Sequence, residues 1–279
     1  MKPDLILLTH DDGIESDALW AAAESLRPLG ELLIVAPNRQ WSGGGRSMPH
    51  GSTGRLLRVS RRVGGEDVSA YSVDASPAQT VVHALMEVAD RPPALVVSGI
   101  NYGANLGSEV TVSGTVGAAL EAGAFGIPSL AISVEMDPIH QLAGDNPCDL
   151  SAAIAFTGRF ARSLLGVTYP PDVDALNVNI PADATIDTPV RVARLSRRRY
   201  YLPRAAERSQ MNNTHAFDQI ADPQEAEPGS DVWSLKVEGN VTVTPLSLDL
   251  TARVDLGQFS TYMGAALLRP HMLQGLANG

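Results

Sequence analysis

Apolar and polar segments alternate along the first two thirds of the chain in a way that predicts strands and helices in turn. Apolar runs of strand length recur at 5–9, 31–36, 94–98, 129–134 and 175–180. Segments with helical spacing lie between them, at 18–29, 77–89, 114–124 and 150–165. Near-continuous apolar strands separated by helices are typical of a mostly parallel sheet with helices on both faces. We therefore predict an α/β fold.

Weaker alternation predicts two hairpins outside this series. Residues 55–59 and 68–73 are predicted to pair across Gly64 and Gly65. After residue 188 the character of the chain changes, and residues 232–237 and 240–245 are predicted to form a hairpin that turns at Glu238-Gly239. We predict an α/β catalytic core over 1–188. A β-rich hairpin and C-terminal extension over 189–279 would belong to the same single domain and serve oligomer contacts.

Composition narrows the class of partner. The chain has 279 residues and a formal net charge of -10, which argues against stable complexes with nucleic acid or anionic membranes. No apolar run approaches the roughly 20 residues of a membrane span, and no signal-peptide pattern is visible at the N-terminus. The one cysteine, Cys148, allows no intrachain disulfide and is interpreted as a structural or incidental thiol. We expect a cytoplasmic protein.

A pair of adjacent carboxylates follows the first predicted strand, in Thr9-His10-Asp11-Asp12-Gly13. In open parallel sheets, ligands bind beyond the carboxyl ends of the strands. Like charges so close together repel, and burial disfavours their ionisation. A divalent cation, which prefers oxygen ligands, would relieve both costs. The alternative is a solvated Asp-Asp-Gly turn.

The loop after the second strand contains Ser42 and three consecutive glycines, flanked by Arg39 and Arg46. Glycines let backbone amides approach an anion closely, although a flexible surface loop would have the same composition. The loop after the strand at 94–98 contains Asn101 and Asn105. Their amides can face a metal or a phosphate, but asparagine is also a common turn residue.

A fourth polar segment, Ser113-Gly114-Thr115, begins the predicted helix at 114–124. Exposed amides and the positive end of the helix dipole favour an anion there, and simple capping by Ser113 is the alternative. Together the loops offer carboxylate, hydroxyl and amide ligands for a metal, beside amides and hydroxyls for a phosphate. This combination indicates metal-assisted hydrolysis of a phosphoester.

Several segments in this order are familiar from one family. They are Asp11-Asp12-Gly13-Ile14, Val35-Ala36-Pro37, Ser42-Gly43, the run 98–107, the run 113–119, 126–129, 177–181 and 241–246. On these residues the chain resembles the SurE family of metal-dependent 5′/3′-nucleotidases and acid phosphatases. The resemblance implies a Rossmann-like α/β domain with a hairpin and C-terminal arm exchanged between subunits, in a homodimer or homotetramer. It implies hydrolysis of a nucleoside 5′- or 3′-monophosphate, with one divalent metal ion, Mg²⁺ or Mn²⁺, in each subunit.

The resemblance also assigns residues to the site. The expected metal ligands are Asp11, Asp12, Ser42 and Asn101. The expected phosphate-binding residues are Asn105, Ser113, Gly114 and Thr115. Asp11 and Asp12 are expected to be catalytic as well, with Asp12 orienting or deprotonating the attacking water.

The chain departs from the family pattern beside these residues. His10 stands where the family usually has asparagine, and Trp41 stands where arginine is common before the metal-binding serine. His10 is interpreted as a supporting or structural group rather than a ligand, although it could alter metal preference. These departures leave two alternatives open. One is a phosphatase for a different phosphorylated metabolite, and the other is a catalytically silent nucleotide-binding module.

Overall fold

The computed structural model describes residues 2–136, 149–202 and 219–264. Cys148 and the end of the predicted C-terminal extension, 265–279, lie outside the described residues. The chain divides into two compact units, Met1–Leu248 and Asp249–Gly279. The described part of the second unit contains one helix.

The described elements alternate as the apolar pattern predicts. The strands are β1 (Leu5–Thr9), β2 (Glu31–Pro37), β3 (Leu56–Val63), β4 (Glu66–Val73), β5 (Leu95–Tyr102), β6 (Ser129–Val134), β7 (Ala175–Ile180), β8 (Val190–Val192), β9 (Tyr201–Leu202), β10 (Gln219–Ile220) and β11 (Val241–Leu246). The α-helices are α1 (Asp17–Leu26), α2 (Pro77–His83), α3 (Gly114–Ala124), α4 (Ser151–Leu164), α5 (Asp231–Lys236) and α6 (Leu256–Gly264).

Nine strands form one sheet in the order β3-β4-β2-β1-β5-β6-β7-β11-β8. The six central strands from β4 to β7 run parallel, whereas β3 and β11 are antiparallel to β4 and β7. This confirms the predicted mostly parallel α/β fold. Strands β9 and β10 form a separate two-stranded sheet.

Helices cover both faces of the sheet because the buried residues of β1 alternate in direction. Ile6 and Leu8 pack in one cluster with Leu19 of α1 and Phe156 of α4. Leu7 points the other way, into a second cluster with α2 and α3. All five residues of β1 are buried. The central strand is therefore fixed on both sides, and the loop that follows it starts from a rigid base.

Local turn and cap chemistry agree with the sequence at several points. β3 and β4 pair antiparallel across Gly64 and Gly65, which both have positive φ, so the predicted first hairpin is confirmed. Ser76 caps α2 in a capping box with Gln79. The helical path continues past α2 in a wider π-turn over Ala84–Val88.

The second predicted hairpin is wrong. Residues Asp231–Lys236 form helix α5 rather than a strand, and only Val241–Leu246 is extended. The Ser230 hydroxyl accepts the backbone N–H of Trp233 at 3.2 Å and caps the helix. Val232 and Leu235, which are three positions apart, are both buried, as a helix requires. Short apolar segments of this length do not distinguish a helix from a strand by periodicity alone.

The part of the chain after residue 188 contributes to the main sheet. β11 pairs with β7 of the predicted core on one side and with β8 on the other. Strands β11 and β8 therefore extend the sheet beyond the predicted core. The boundary at 188 and the role of the extension in oligomer contacts stay predictions. Among the described residues, no helix has both the length and the apolar character needed to cross a membrane.

Candidate functional site

The register of the sheet brings three predicted loops to one edge. β1 lies between β2 and β5 and runs parallel to both, and Thr9 is the partner of Ser98. Asp11 follows β1 by two residues, and Asn101 lies three residues beyond Ser98. The loop after β2 is tied to the same place, because the Trp41 N–H donates to the Asp11 carbonyl oxygen at 2.8 Å.

Asp11 lies at the centre of this edge and in contact with the start of α3. Its side chain is only 5% exposed. The Thr115 hydroxyl donates to Asp11 Oδ1 at 2.5 Å. A Cβ added to Gly114 would lie 2.8 Å from Asp11 Oδ2, so the helix reaches the carboxylate only because residue 114 is glycine.

The environment of Asp11 makes its negative charge costly. Burial, the largest cause, raises the pKa of the Asp11 carboxyl above its usual value. His10 and the hydrogen bond from Thr115 lower this pKa, whereas the charge of Asp12 raises it. A positive ion between the two carboxylates would offset both the burial and the repulsion.

Asp12 and Ser42 are held together by a residue that the sequence did not single out. Gln40 Nε2 donates to Asp12 Oδ1 at 2.9 Å and to Ser42 Oγ at 3.0 Å. The side-chain amide nitrogen of Gln40 therefore bridges two of the four predicted metal ligands. The Asp12 side chain is 17% exposed, which makes it more accessible than Asp11.

The fourth predicted ligand, Asn101, lies within β5 rather than in the loop after it, because the strand continues past Ser98 to Tyr102 and pairs again with β6 at Asn101. Asn101 is buried, and its Nδ2 donates to the Gly103 carbonyl oxygen at 2.6 Å. With the amide nitrogen used in this way, the Oδ1 atom is the group left to face an ion.

These four residues fit a hard divalent cation. Their donor atoms are carboxylate, hydroxyl and amide oxygens, which suit Mg²⁺ or Mn²⁺ rather than a thiolate-binding metal. Across residues 2–136, 149–202 and 219–264, no group of three or more His, Cys, Asp or Glu side chains has the geometry of a metal site. His10 therefore does not complete a three-residue site with Asp11 and Asp12.

His10 is fully buried beside the two carboxylates. Its Nδ1 accepts the Asp12 N–H at 3.3 Å, so Nε2 is the ring nitrogen that faces the carboxylates. Nε2 lies 3.6 Å from Asp12 Oδ2 and 3.9 Å from Asp11 Oδ1, and it makes no hydrogen bond with a described residue. This arrangement makes His10 a polar neighbour of the carboxylates.

The start of α3 has the features of an anion site, but its hydroxyls already have partners. Ser113 caps the helix by accepting the Val116 N–H at 3.1 Å, and Thr115 is bonded to Asp11. The glycine-rich loop packs against the first turn, because a Cβ at Gly117 would lie 2.5 Å from the Gly45 carbonyl oxygen. The first turn carries no acidic residue that would oppose an anion.

Asn105 is clamped by two asparagines of β7. Its backbone N–H donates to Asn179 Oδ1 at 2.7 Å. Its carbonyl oxygen accepts from Asn177 Nδ2 at 2.8 Å and from Asn179 Nδ2 at 3.0 Å. Its own Nδ2 donates to Ser133 Oγ at 2.9 Å. The position of Asn105 thus depends on strands β6 and β7.

The two arginines of the glycine-rich loop are engaged elsewhere. Arg46 Nε donates to Glu121 Oε2 at 2.6 Å, and the Glu121 side chain is 7% exposed. This ion pair cancels the charge that the sequence offered for an anion. The Arg39 guanidinium lies over the half-buried Trp41 ring, 4.6 Å from its centroid.

The comparisons with known proteins bear on the whole of this arrangement. A family model described as survival protein SurE matches residues 6–202, which is more than half of the chain. The chain belongs to the SurE family. The SurE match includes β1 from its second residue onwards, the three loops and the start of α3.

Curated SurE proteins are similar over most of their length. A protein named 5′-nucleotidase SurE from Thermococcus gammatolerans is 44% identical over 251 residues, which cover 90% of this chain and 92% of that protein. One of the same name from Methanosarcina mazei is 38% identical over 268 residues, covering 92% and 97%. The crystal structure of SurE from Aquifex aeolicus has a TM-score of 0.70 and 30% identity, and the match covers 92% of this chain and 99% of that one.

Sequence reasoning missed Gln40, Asn177 and Asn179, which hold residues of the candidate site by hydrogen bonds. A usable signal existed for the two β7 residues, since polar side chains at alternate positions interrupt an otherwise apolar strand. Buried amides need partners, so such a pair indicates a polar group on the facing loop. Gln40 gave no comparable signal.

Proposed function

We propose that this chain is a divalent-metal-dependent phosphomonoesterase that hydrolyses nucleoside 5′-monophosphates to nucleoside and phosphate. The relatives named 5′-nucleotidase SurE support the reaction class. The observation that carries the proposal is the adjacent Asp11 and Asp12 at the edge where Ser42 and Asn101 also lie.

In this proposal Asp11, Asp12, Ser42 and Asn101 hold the ion, and Mg²⁺ and Mn²⁺ are the candidates. When bound, the ion withdraws electron density from a phosphoryl oxygen. Thr115 fixes the Asp11 carboxylate, and Gln40 fixes Asp12 relative to Ser42.

The remaining roles belong to the loops and to α3. The amides at the start of α3 and the clamped Asn105 orient the phosphate. The attacking water forms a new P–O bond as the ester P–O bond breaks. Asp12, the more exposed carboxylate, accepts one proton of the water and passes it to the leaving nucleoside oxygen, so that the products are the nucleoside and hydrogen phosphate and Asp12 is again ionised.

We also propose a homodimer or homotetramer that works in the cytoplasm. Val192 supports a subunit contact, because it is 79% exposed on β8, the strand at one end of the sheet. Light scattering coupled to size exclusion measures the mass directly, and a monomeric mass would contradict this part of the proposal.

Phosphate release tests the reaction. Purified protein is assayed with several nucleoside monophosphates in Mg²⁺ or Mn²⁺, before and after chelation. Asp11→Asn is expected to reduce Mn²⁺ affinity and kcat/KM by more than about 100-fold, the upper end of the effect of outer partners at metal sites. Asp17→Asn is the matched control, because Asp17 lies on α1 with a side chain that is 79% exposed. Equal phosphate release with and without chelator would overturn the proposal.

A further inference from the structure

A cavity of about 220 Å³ lies at the same edge of the sheet, beside the Asn105 loop. Ala104, which directly precedes Asn105, forms part of its wall. Glu135 and Met136 follow β6, and Ala182 follows β7. The cavity therefore opens beyond the carboxyl ends of the neighbouring parallel strands, where ligands bind in such sheets.

The position of the cavity relative to Asp11 follows from the strand order. In the sheet formed by the described residues, β5 lies between β1, which leads to Asp11, and β6, which leads to Glu135, with one strand spacing on each side. Neighbouring strands are spaced by about 4.8 Å, so the ends of β1 and β6 are about 10 Å apart. In a nucleoside monophosphate the ribose separates the base from the phosphorus. A phosphate between Asp11 and Asn105 can therefore direct a base towards this cavity.

The walls combine aromatic and apolar side chains. Tyr200, Tyr201 and Ile220 line the cavity together with Met136. The two tyrosine rings meet edge to face, 4.9 Å between centroids at 74°. Both side chains are neutral phenols at physiological pH, as an unperturbed tyrosine already is. Burial raises the pKa of Tyr200 to about 12 and also raises that of Tyr201. Flat, uncharged aromatic walls are typical of sites that hold a base.

The charged side chains among the residues that line the cavity, Glu135 and Lys236, form an ion pair. Lys236 Nζ pairs with Glu135 Oε1 and lies 5.9 Å from the centroid of the Tyr200 ring. Because Glu135 cancels the charge of Lys236, the pair does not favour a second phosphate. A carboxylate and an ammonium group side by side instead match the amino donors and ring acceptors at the edge of a nucleobase.

We propose that this cavity binds the base of the nucleoside monophosphate, an inference that rests on the proposed function of the Asp11 site. Base binding at the cavity makes a nucleotide a better substrate than the same phosphoester without a base. The cavity thus selects nucleotides among phosphomonoesters, while the Asp11 site performs the hydrolysis.

The test compares adenosine 5′-monophosphate with ribose 5-phosphate in Mn²⁺. Ala182→Trp fills the cavity from an exposed position, and Ile220→Trp fills it from a residue that is 41% exposed. Either variant is expected to reduce the ratio of the two kcat/KM values at least tenfold, equivalent to about 1.4 kcal/mol. The change should appear mainly in KM for the nucleotide, with ribose 5-phosphate turnover within twofold of the parent.

Asp183→Trp is the matched control, because Asp183 is the exposed neighbour of Ala182 and does not line the cavity. It should keep the parent ratio. The inference is overturned if the parent hydrolyses both substrates equally well, or if the filled variants keep the preference for the nucleotide.

Adenosine binding, measured by calorimetry without metal, separates the inference from the proposed function. If the parent releases phosphate from neither substrate, the proposed function fails. Adenosine binding that is present in the parent and lost in the filled variants still supports the base site. Equal adenosine binding in all variants, or no binding to the parent, overturns it.

Discussion

Replacing Asn179 with alanine tests whether the β7 asparagines position the Asn105 loop. Asn179 is fully buried and makes two hydrogen bonds with the backbone of Asn105, at 2.7 and 3.0 Å. The Asn105 carbonyl oxygen keeps Asn177 as a donor, whereas the Asn105 N–H loses its acceptor, Asn179 Oδ1. The perturbation therefore acts on one side of a clamp and leaves the other side in place.

The magnitude follows from these two bonds. Losing the bond to the Asn105 carbonyl costs about 1 kcal/mol net, because that carbonyl keeps another donor. Losing the bond from the Asn105 N–H leaves that group unpaired, which costs about 1–3 kcal/mol. Asn179→Ala should therefore lower the free energy of unfolding by about 2–4 kcal/mol, within the 5–15 kcal/mol typical of a folded domain. A displacement of about 1 Å at a reacting group costs on the order of 100-fold in rate. We expect kcat/KM for a nucleoside monophosphate to fall by about that factor.

Denaturant unfolding, steady-state kinetics and Mn²⁺ titration measure the three consequences. Mn²⁺ affinity should stay within twofold, because the expected ligands follow β1 and β2 or lie at the end of β5, and none is on β7. Thr242→Val is the matched control. Thr242 pairs with Asn179 across β11 and β7, and its buried hydroxyl has no hydrogen-bond partner among the residues that the structure describes. Its removal should leave stability unchanged or raise it by up to about 1 kcal/mol.

Two results would refute the reasoning about the clamp. If Asn179→Ala loses stability as expected but keeps its kcat/KM, the position of Asn105 does not matter for turnover. If it loses no stability, the two hydrogen bonds do not hold the loop.

Three further changes have expected outcomes. Gly114→Ala places a Cβ 2.8 Å from Asp11 Oδ2 and should lower the affinity for Mn²⁺, which calorimetry measures. Gly158→Ala is the control, because a Cβ at this position in α4 meets only ordinary contacts, and it should raise the free energy of unfolding by up to about 1 kcal/mol. Unchanged Mn²⁺ affinity in Gly114→Ala would contradict the close contact. The pKa of the Tyr200 phenol is 10 when the chain is unfolded, and burial raises it to about 12 when the chain is folded. The contribution of Tyr200 to stability is therefore complete below pH 10 and is lost as the pH rises to 12. In alkaline unfolding curves, Tyr200→Phe should therefore lose about 3 kcal/mol less than the parent across that window, and parallel curves would disprove this. His10→Asn should keep the ratio of Mn²⁺ to Mg²⁺ affinity within twofold, because His10 forms no metal-binding group with Asp11 and Asp12 among the described residues. A changed ratio would mean that the ring binds the ion.

Much of the site was predictable because its residues are local to strand ends. Asp11, Ser42 and Asn101 each follow an apolar run, and parallel strands carry their carboxyl ends to one edge. The cap at Ser113 was also predictable, since a serine before a helix accepts a free backbone N–H. These features depend on short stretches of chain and on one rule of topology.

Other features depended on partners far away in the chain. Asn105 and Asn179 are 74 positions apart, and Arg46 and Glu121 are 75 apart. No local pattern revealed that Arg46 forms an ion pair with Glu121 instead of binding an anion. Helix α5 was mistaken for a strand because its capped, buried form is decided by packing, not by six residues of sequence.

The sequence by itself determined the alternation of strands and helices, the loops that carry polar residues and the chemistry those loops offer. These follow from apolar periodicity and from side-chain donor types, which are properties of neighbouring residues. Only the tertiary structure decided how close Gly114 comes to Asp11, which residues hold Asn105 and Asp12, and where a cavity opens beside them. Such contacts join elements through packing and hydrogen bonds across the sheet, and their energies exist only once the chain has folded.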